Sequence, residues 1–375
     1  MKDVFVVADN IYSPLGETTG HNFSQLKNGR AGVRRQNRPE FADQPFYASL
    51  FGDHDLLTGG NDLPGRPTTF ERLLIASVSR VLNGAGIDPS DPRTILIVST
   101  TKGNISLLEK GVDDPARISL TNSSRLVGSQ LGFIHEPIVI SNACISGILA
   151  MITAMRLIRS DRFETAVVAG ADVISKFVLS GFSSFQAISA GPCKPFDEAR
   201  DGINLGEGAG AVVLSGSKRY RGQLRLRGGS VSNDANHISG PSRTGAELAQ
   251  VISRSMSDAG CTAGEIDFVS AHGTATLYND EMEARAITLA GVQEAPVNSL
   301  KAYYGHTLGA AGLIESIVTL QSMREDKVIP SLGYKNNGVT MPLNICTSLL
   351  SAPLDHCLKT ASGFGGCNAA LVMSK

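Results

Sequence analysis

Pro137-Ile-Val-Ile-Ser-Asn-Ala-Cys144-Ile-Ser-Gly-Ile148 is the stretch whose reading decides the fold. Its first half is a short β-branched run of the kind that forms a buried strand. Its second half opens an apolar segment, residues 145–158, with helical length and few charges. Cys144 stands between the two. A thiol at a strand end and a helix start meets unpaired N–H groups and the positive end of the helix dipole, and both favour thiolate over thiol. Taken alone, the same cysteine also reads as a small core hydrophobe, the commoner fate of a free thiol. The rest of the chain decides between these readings.

Working outward, the same strand-then-helix logic recurs. Residues 4–8, 94–98, 165–170 and 211–214 read as strands, 94–98 of the fully buried type that parallel sheets require. Residues 19–26, 69–83 and 122–131 have helical periodicity, the second stopped by Gly84. Residues 30–68 read as surface loops with one hairpin, including Thr58-Gly-Gly-Asn-Asp-Leu-Pro-Gly65. A polar bridge over residues 215–227 marks a midpoint. Beyond it come helix 245–259, strand 266–270, helix 280–289, strand 297–300, helix 307–323 and strand 369–373. The corner Ser141-Asn-Ala-Cys-Ile-Ser-Gly147 has a counterpart in Gly305-His-Thr-Leu-Gly-Ala-Ala-Gly312. The expectation is a duplicated α/β fold with helices on both sheet faces, divided into residues 1–220 and 221–375.

Composition narrows the function. The 375 residues are 42% hydrophobic, enough for a large core, and 34 Lys+Arg against 35 Asp+Glu leave no global field to recruit nucleic acid or a membrane. Six cysteines, at 144, 193, 261, 346, 357 and 367, form no CxxC pair, which argues against a zinc site or a disulfide framework. Met1-Lys-Asp-Val-Phe-Val-Val-Ala-Asp is too short and too acidic for a signal peptide, and no run approaches a membrane span of about 20 apolar residues. A cytoplasmic protein is expected. Gly206-Glu-Gly-Ala-Gly210 nearly matches a dinucleotide fingerprint but precedes a strand, whereas that motif follows a strand and opens a helix.

Three corners of the second half supply what a nucleophilic cysteine needs. Val269-Ser-Ala-His272-Gly-Thr274-Ala-Thr276 puts a histidine and two hydroxyls at a strand end, where open α/β sheets bind ligands. In Asn298-Ser-Leu-Lys301-Ala-Tyr-Tyr-Gly-His306, the second histidine falls at a helix start, whose dipole favours neutral imidazole; Glu315 follows about two and a half turns along. Ser362-Gly363-Phe364-Gly365-Gly366-Cys367-Asn368 is a loop able to present backbone N–H groups to an oxyanion. Each corner has a plain structural reading too: a satisfied histidine, a tightly packed helix, a hairpin. Four such corners in one chain are hard to ascribe to packing.

Together these motifs resemble the β-ketoacyl-[acyl-carrier-protein] synthases, elongating condensing enzymes with the thiolase fold. The resemblance covers nearly the whole chain. It rests on Ala143-Cys144, Cys193-Lys-Pro-Phe-Asp-Glu-Ala-Arg-Asp-Gly202, Asp234-Ala-Asn-His237, His272-Gly-Thr-Ala-Thr276, Lys301, Gly305-His306 and Gly363-Phe-Gly-Gly366. It implies a five-layer αβαβα fold, with Cys144 as nucleophile and His272 and His306 as paired histidines. Lys301 and Glu315 would form a supporting charged pair, and Phe364 a gate. Thr274 and Thr276, with Gly363 and Gly365, would lie along the substrate path, and the N–H groups of Cys144 and Phe364 would bind the oxyanion. It further implies an acyl carrier protein as partner, a homodimer or a heterodimer with a paralogue, and neither metal nor cofactor.

The chain is shorter than typical members of that family, and Lys102, in Val98-Ser-Thr-Thr-Lys102-Gly-Asn-Ile105, falls where the family often has an apolar residue limiting tail length. A lysine at an apolar pocket floor is costly unless paired, so the favoured placement of Lys102 is toward solvent or a dimer partner; one that reached the pocket would point to a polar, aryl or polyene tail. Lys194 and Arg200 are candidate contacts for an acidic carrier. Two other functions compete: a non-catalytic chain-length-type subunit of another ketosynthase, and a thiolase working on coenzyme A esters.

Overall fold

The computed structural model describes residues 2–52, 66–112, 114–236 and 239–375. The stretch 58–65 and His237 lie outside the described residues. Ten strands form one hydrogen-bonded sheet: β1 (Val4–Tyr12), β2 (Thr94–Ser99), β3 (Ile138–Ile140), β4 (Thr165–Asp172), β5 (Gly208–Ser215), β6 (Arg225–Asn233), β7 (Phe268–Ser270), β8 (Val297–Asn298), β9 (His356–Gly363) and β10 (Cys367–Ser374). Their spatial order is 8-7-9-10-6-1-5-4-2-3.

Adding five to each strand of the half 1-5-4-2-3 gives 6-10-9-7-8, and the pairing senses repeat as well. β1–β5, β5–β4, β6–β10 and β10–β9 are antiparallel; β4–β2, β2–β3, β9–β7 and β7–β8 are parallel. This is the duplication expected from the sequence. The halves meet edge to edge where Val4 and Phe5 pair with Leu226 and Arg225.

The principal helices are α1 (Thr19–Lys27), α2 (Thr69–Ala85), α3 (Leu120–Gln130), α4 (Ser146–Arg159), α5 (Lys176–Ser184), α6 (Ala246–Ala259), α7 (Leu277–Leu289) and α8 (Ala311–Glu325). α4 and α8 pack between the two sheet halves, α2 with α3 covers the outer face of the first half, and α6 with α7 that of the second. The result is the αβαβα layering. Two glycines set the spacing in the middle layer. A methyl group on Gly147 would lie 2.4 Å from the Leu313 amide nitrogen, and one on Gly312 would lie 2.8 Å from Ile148 Cγ1. The small residues therefore do serve a close helix crossing.

Several expectations are corrected. α2 runs past Gly84 and ends at Gly86, which takes the left-handed conformation that glycine tolerates best. The expected polar bridge ends in strand β6, and β9 and α5 lie in segments to which the sequence reading assigned no element. Strand 297–300 stops at Asn298, and Lys301–Tyr304 makes a helical turn. The hairpin within 30–68 is present, Arg34–Gln36 against Phe46–Ser49. The glycine cluster serves close packing: a methyl on Gly206 would lie 1.9 Å from the Tyr304 carbonyl oxygen. Among the described residues no helix is long and apolar enough to cross a membrane.

Candidate active site

The duplicated topology brings the four corners together. Lys102 follows β2 and His272 follows β7, its equivalent; Cys144 follows β3, while Lys301 and His306 follow β8. All sit beyond the carboxyl ends of the parallel strands of the two halves. There Cys144 Sγ and one ring nitrogen each from His272 and His306 lie within 4.8 Å of one another.

The Cys144 corner is a sharp turn. Ala143 has φ +43°, a left-handed conformation unusual for a residue with a side chain. The buried Ser146 hydroxyl pins it, accepting from the Asn142 N–H at 2.8 Å and donating to the Ala143 carbonyl at 2.7 Å. Gly363 packs so close that a methyl there would lie 2.9 Å from the Cys144 amide nitrogen. Burial pushes the Cys144 thiol up to about 12; neighbouring Cys367 adds to the rise, and Lys301 and Lys102 oppose it. Burial thus works against the thiolate that a helix start favours.

His272 and His306 are both buried, their rings 5.3 Å apart and nearly perpendicular. Burial, then the Lys301 charge, holds both well below the ordinary imidazole value. Lys301 Nζ donates to the His272 carbonyl at 3.0 Å and approaches its Nδ1 at 3.5 Å, while pairing with Glu315. An ammonium has only protons to offer, so Nδ1 is the acceptor and the His272 proton sits on Nε2, the atom left for the site. The Glu283 carboxylate fixes the backbone here, accepting from the N–H groups of His272 at 2.8 Å and Gly273 at 2.7 Å.

His306 differs: neither ring nitrogen has a hydrogen-bond partner among the described residues. A single-turn 3-10 segment, Leu308–Ala310, runs directly into α8, so His306 lies just before the helical stretch as expected, and burial is the main source of its neutrality. Glu315 lies in the second turn of α8, about two turns from the start of the combined helical stretch.

A cavity of about 550 Å³ opens onto these groups, lined among others by Thr274, Thr276, Gly363, Phe364 and Gly365. The hydroxyls of Thr274 and Thr276 lie 2.8 Å apart. Phe364, 40% exposed on the β9–β10 turn, stacks on Phe182 at 5.8 Å and meets Phe185 edge-on at 5.4 Å. The glycine-rich loop is therefore both a hairpin and a cavity wall. Lys102 is half-buried on the turn after β2 and is not among the cavity-lining residues; its N–H donates to the buried Asp172 at 3.2 Å. Arg200 is buried against the carbonyls of Asp197 and Gly338, which removes it as a carrier contact.

The sequence reading missed Glu283, the Phe182–Phe185 pair and a second buried lysine, Lys359. The only sequence signal for Lys359 is its position in the apolar-flanked run Cys357-Leu-Lys-Thr-Ala361.

A thiol facing two neutral imidazoles, at the strand ends of a duplicated α/β fold, is an arrangement suited to cysteine-dependent acyl transfer. The family models for the β-ketoacyl synthase N-terminal and C-terminal domains match residues 66–219 and 224–335, and the chain belongs to the β-ketoacyl synthase family. It is 28% identical to 3-oxoacyl-[acyl-carrier-protein] synthase 2 of Vibrio cholerae, over 99% of both chains. It is 27% identical to the tetracenomycin polyketide synthase ketoacyl synthase alpha subunit of Streptomyces glaucescens, over 100% of this chain and 97% of the other. A ketosynthase solved in complex with its chain length factor, from Xenorhabdus doucetiae, superposes with a TM-score of 0.89 at 23% identity, covering 100% and 98% of the two chains.

Proposed function

We propose that the protein catalyses decarboxylative Claisen condensation, joining an acyl group held on Cys144 to malonyl-acyl carrier protein and releasing 3-oxoacyl-acyl carrier protein, in fatty-acid or polyketide synthesis. The observation that carries this reading is the Cys144–His272–His306 cluster, with one imidazole locked by Lys301 and the other unpartnered.

The Cys144 proton leaves to a nearby imidazole as the acyl thioester arrives, since the resting thiol is held neutral. The tetrahedral oxyanion is received by the N–H groups of Cys144 and Phe364; as it collapses, the bond to the carrier's sulfur breaks and that thiol leaves with the proton the imidazole held. Malonyl thioester then loses carbon dioxide. The enolate charge collects on the thioester oxygen, opposite the N–H donors of His272 and His306. The carbanion attacks the Cys144 thioester, the Cys144–acyl bond breaks, the 3-oxoacyl chain leaves on the carrier, and the released thiolate takes a proton from solvent. Phe364 gates the cavity, and Thr274 and Thr276 bind the carrier's pantetheine arm. The functional halves divide at residues 220 and 221. The acyl carrier protein docks on exposed cations.

The sheet edge β3, whose Ile138, Val139 and Ile140 are half-buried, pairs with a second copy or a chain-length-factor-like paralogue. The superposing ketosynthase is described in such a complex. Six free thiols fit a reducing compartment, and the cytoplasm is the proposed location.

Intact-mass measurement after incubation with acyl-carrier protein should show an acyl adduct that Cys144→Ala abolishes. His306→Ala should slow malonyl decarboxylation by ~10²–10³, as loss of an oxyanion donor does. Because Lys102 does not line the cavity, Lys102→Ile should leave the order of preference over a panel of saturated and aryl-enoyl tails unchanged. No adduct, with decarboxylation unchanged in both Cys144→Ala and His306→Ala, would make the chain a binding subunit; activity on acetyl-CoA alone would make it a thiolase.

A further inference from the structure

Lys359 has no role in the reaction just described, yet it occupies a deliberate position. It sits mid-strand in β9 and is fully buried. Its Nζ lies 2.8 Å from Glu315 Oε2 and donates to the carbonyls of Ser270 and Ala271, each at 3.1 Å. Those carbonyls belong to the two residues immediately before His272. From the other side, Lys301 pairs with Oε1 of the same Glu315 and donates to the His272 carbonyl. The contacts close a ring that runs Lys359, Glu315, Lys301, His272 and back through two peptide units to Lys359.

We infer that Lys359 is a positioning residue for the condensation: by holding Glu315 and the Ser270–Ala271 peptides together, it fixes Lys301 against His272 Nδ1 and keeps the Nε2–H of His272 aimed at the substrate oxygen. The inference rests on the condensing function proposed for this site. A carboxylate with one ammonium on one oxygen is free to swing; a second ammonium on the other oxygen removes that freedom. An apolar residue would fill a strand interior without the desolvation that a buried ion incurs, so a charge placed there calls for a use.

The ring also bears on protonation. The charged and titratable groups around Lys359 are the Glu315 and Glu283 carboxylates, the Lys301 ammonium and the two imidazoles. Burial lowers the Lys359 pKa and Glu315 opposes the fall. Burial and Lys301 are the leading causes of the neutral His272, and Lys359 adds to them. Without Lys359, His272 takes up a proton at higher pH; the protonated Nδ1 then repels Lys301 and the ring loses its aim.

The test compares wild type with Lys359→Met in two half-reactions, Cys144 acylation by acyl-carrier protein and decarboxylation of malonyl-carrier protein from pH 5 to 9. The expected result is acylation within about twofold of wild type, decarboxylation about tenfold slower in kcat at nearly constant KM, and an acid limb moved to higher pH. Lys359→Gln, which keeps a donor for the two carbonyls but no charge, should recover part of kcat and leave the limb shifted. Unchanged decarboxylation with an unmoved limb would overturn the inference. So would equal losses in both half-reactions, or failure of both variants to fold, since each would make Lys359 a packing residue. A wild-type protein that acylates Cys144 but decarboxylates no malonyl thioester would instead overturn the condensing function itself.

Discussion

The unpartnered imidazole of His306 and the locked one of His272 make a pH prediction. The working form is neutral, and both folded-state values are depressed, first by burial and then by Lys301. A depressed value carries the neutral form to lower pH. Decarboxylation should therefore stay level as pH falls through about 6.5, the ordinary imidazole value; a stopped-flow or isotope-release profile with its midpoint there would contradict the assignment. At this scale the corners were readable because Cys144, His272, Lys301 and His306 each stand beside glycine or small residues at a strand end. Lys359 and Glu283 were not. A lysine in a strand and a glutamate in a helix have ordinary solvent-facing roles, and only the tertiary partner shows otherwise.

At the scale of elements, long apolar periods were legible and their ends less so. α2 and β4 follow hydropathy closely, and α4 spans nearly the apolar segment behind Cys144. β6 was hidden because Gly228 and Gly229 occupy its centre, and the reason for glycine lies across the interface: a methyl on Gly228 would lie 2.1 Å from the Ser255 carbonyl oxygen of α6. β9 was hidden by Lys359 and Thr360, whose polar groups find Glu315 and Glu283 inside the molecule. The α4–α8 crossing gives the prediction here. Gly147→Ala pushes a methyl into backbone that has little room to yield, so destabilisation of about 1–3 kcal/mol is expected, read as a lower denaturant midpoint at constant slope. Gly84→Ala, with nothing within 4 Å of the added methyl, should leave stability unchanged or raise it by roughly 0.5–1 kcal/mol.

For the whole molecule, the orders 1-5-4-2-3 and 6-10-9-7-8 explain why one chain can assemble its site from two halves: equivalent strand ends converge on one cavity. The duplication was visible in the paired corners, but not the joining of the halves through β1 and β6, which depends on two backbone pairings and carries no side-chain pattern. An exposed β-branched edge such as β3 invites pairing with another strand. Sedimentation should find a two-chain species for the wild type or for the wild type mixed with a paralogue, and single chains for Val139→Asp; a wild-type monomer under all these conditions would remove the proposed interface. The buried cation of β9 sets heat resistance and turnover against each other. Exchanging a whole buried ion network for well-packed hydrocarbon is often neutral or stabilising by ~1–4 kcal/mol, whereas removing one partner alone is costly. Selection for thermal tolerance alone would then replace Lys359, Glu315 and Lys301 together by hydrocarbon, yielding a sturdier protein that no longer orients His272.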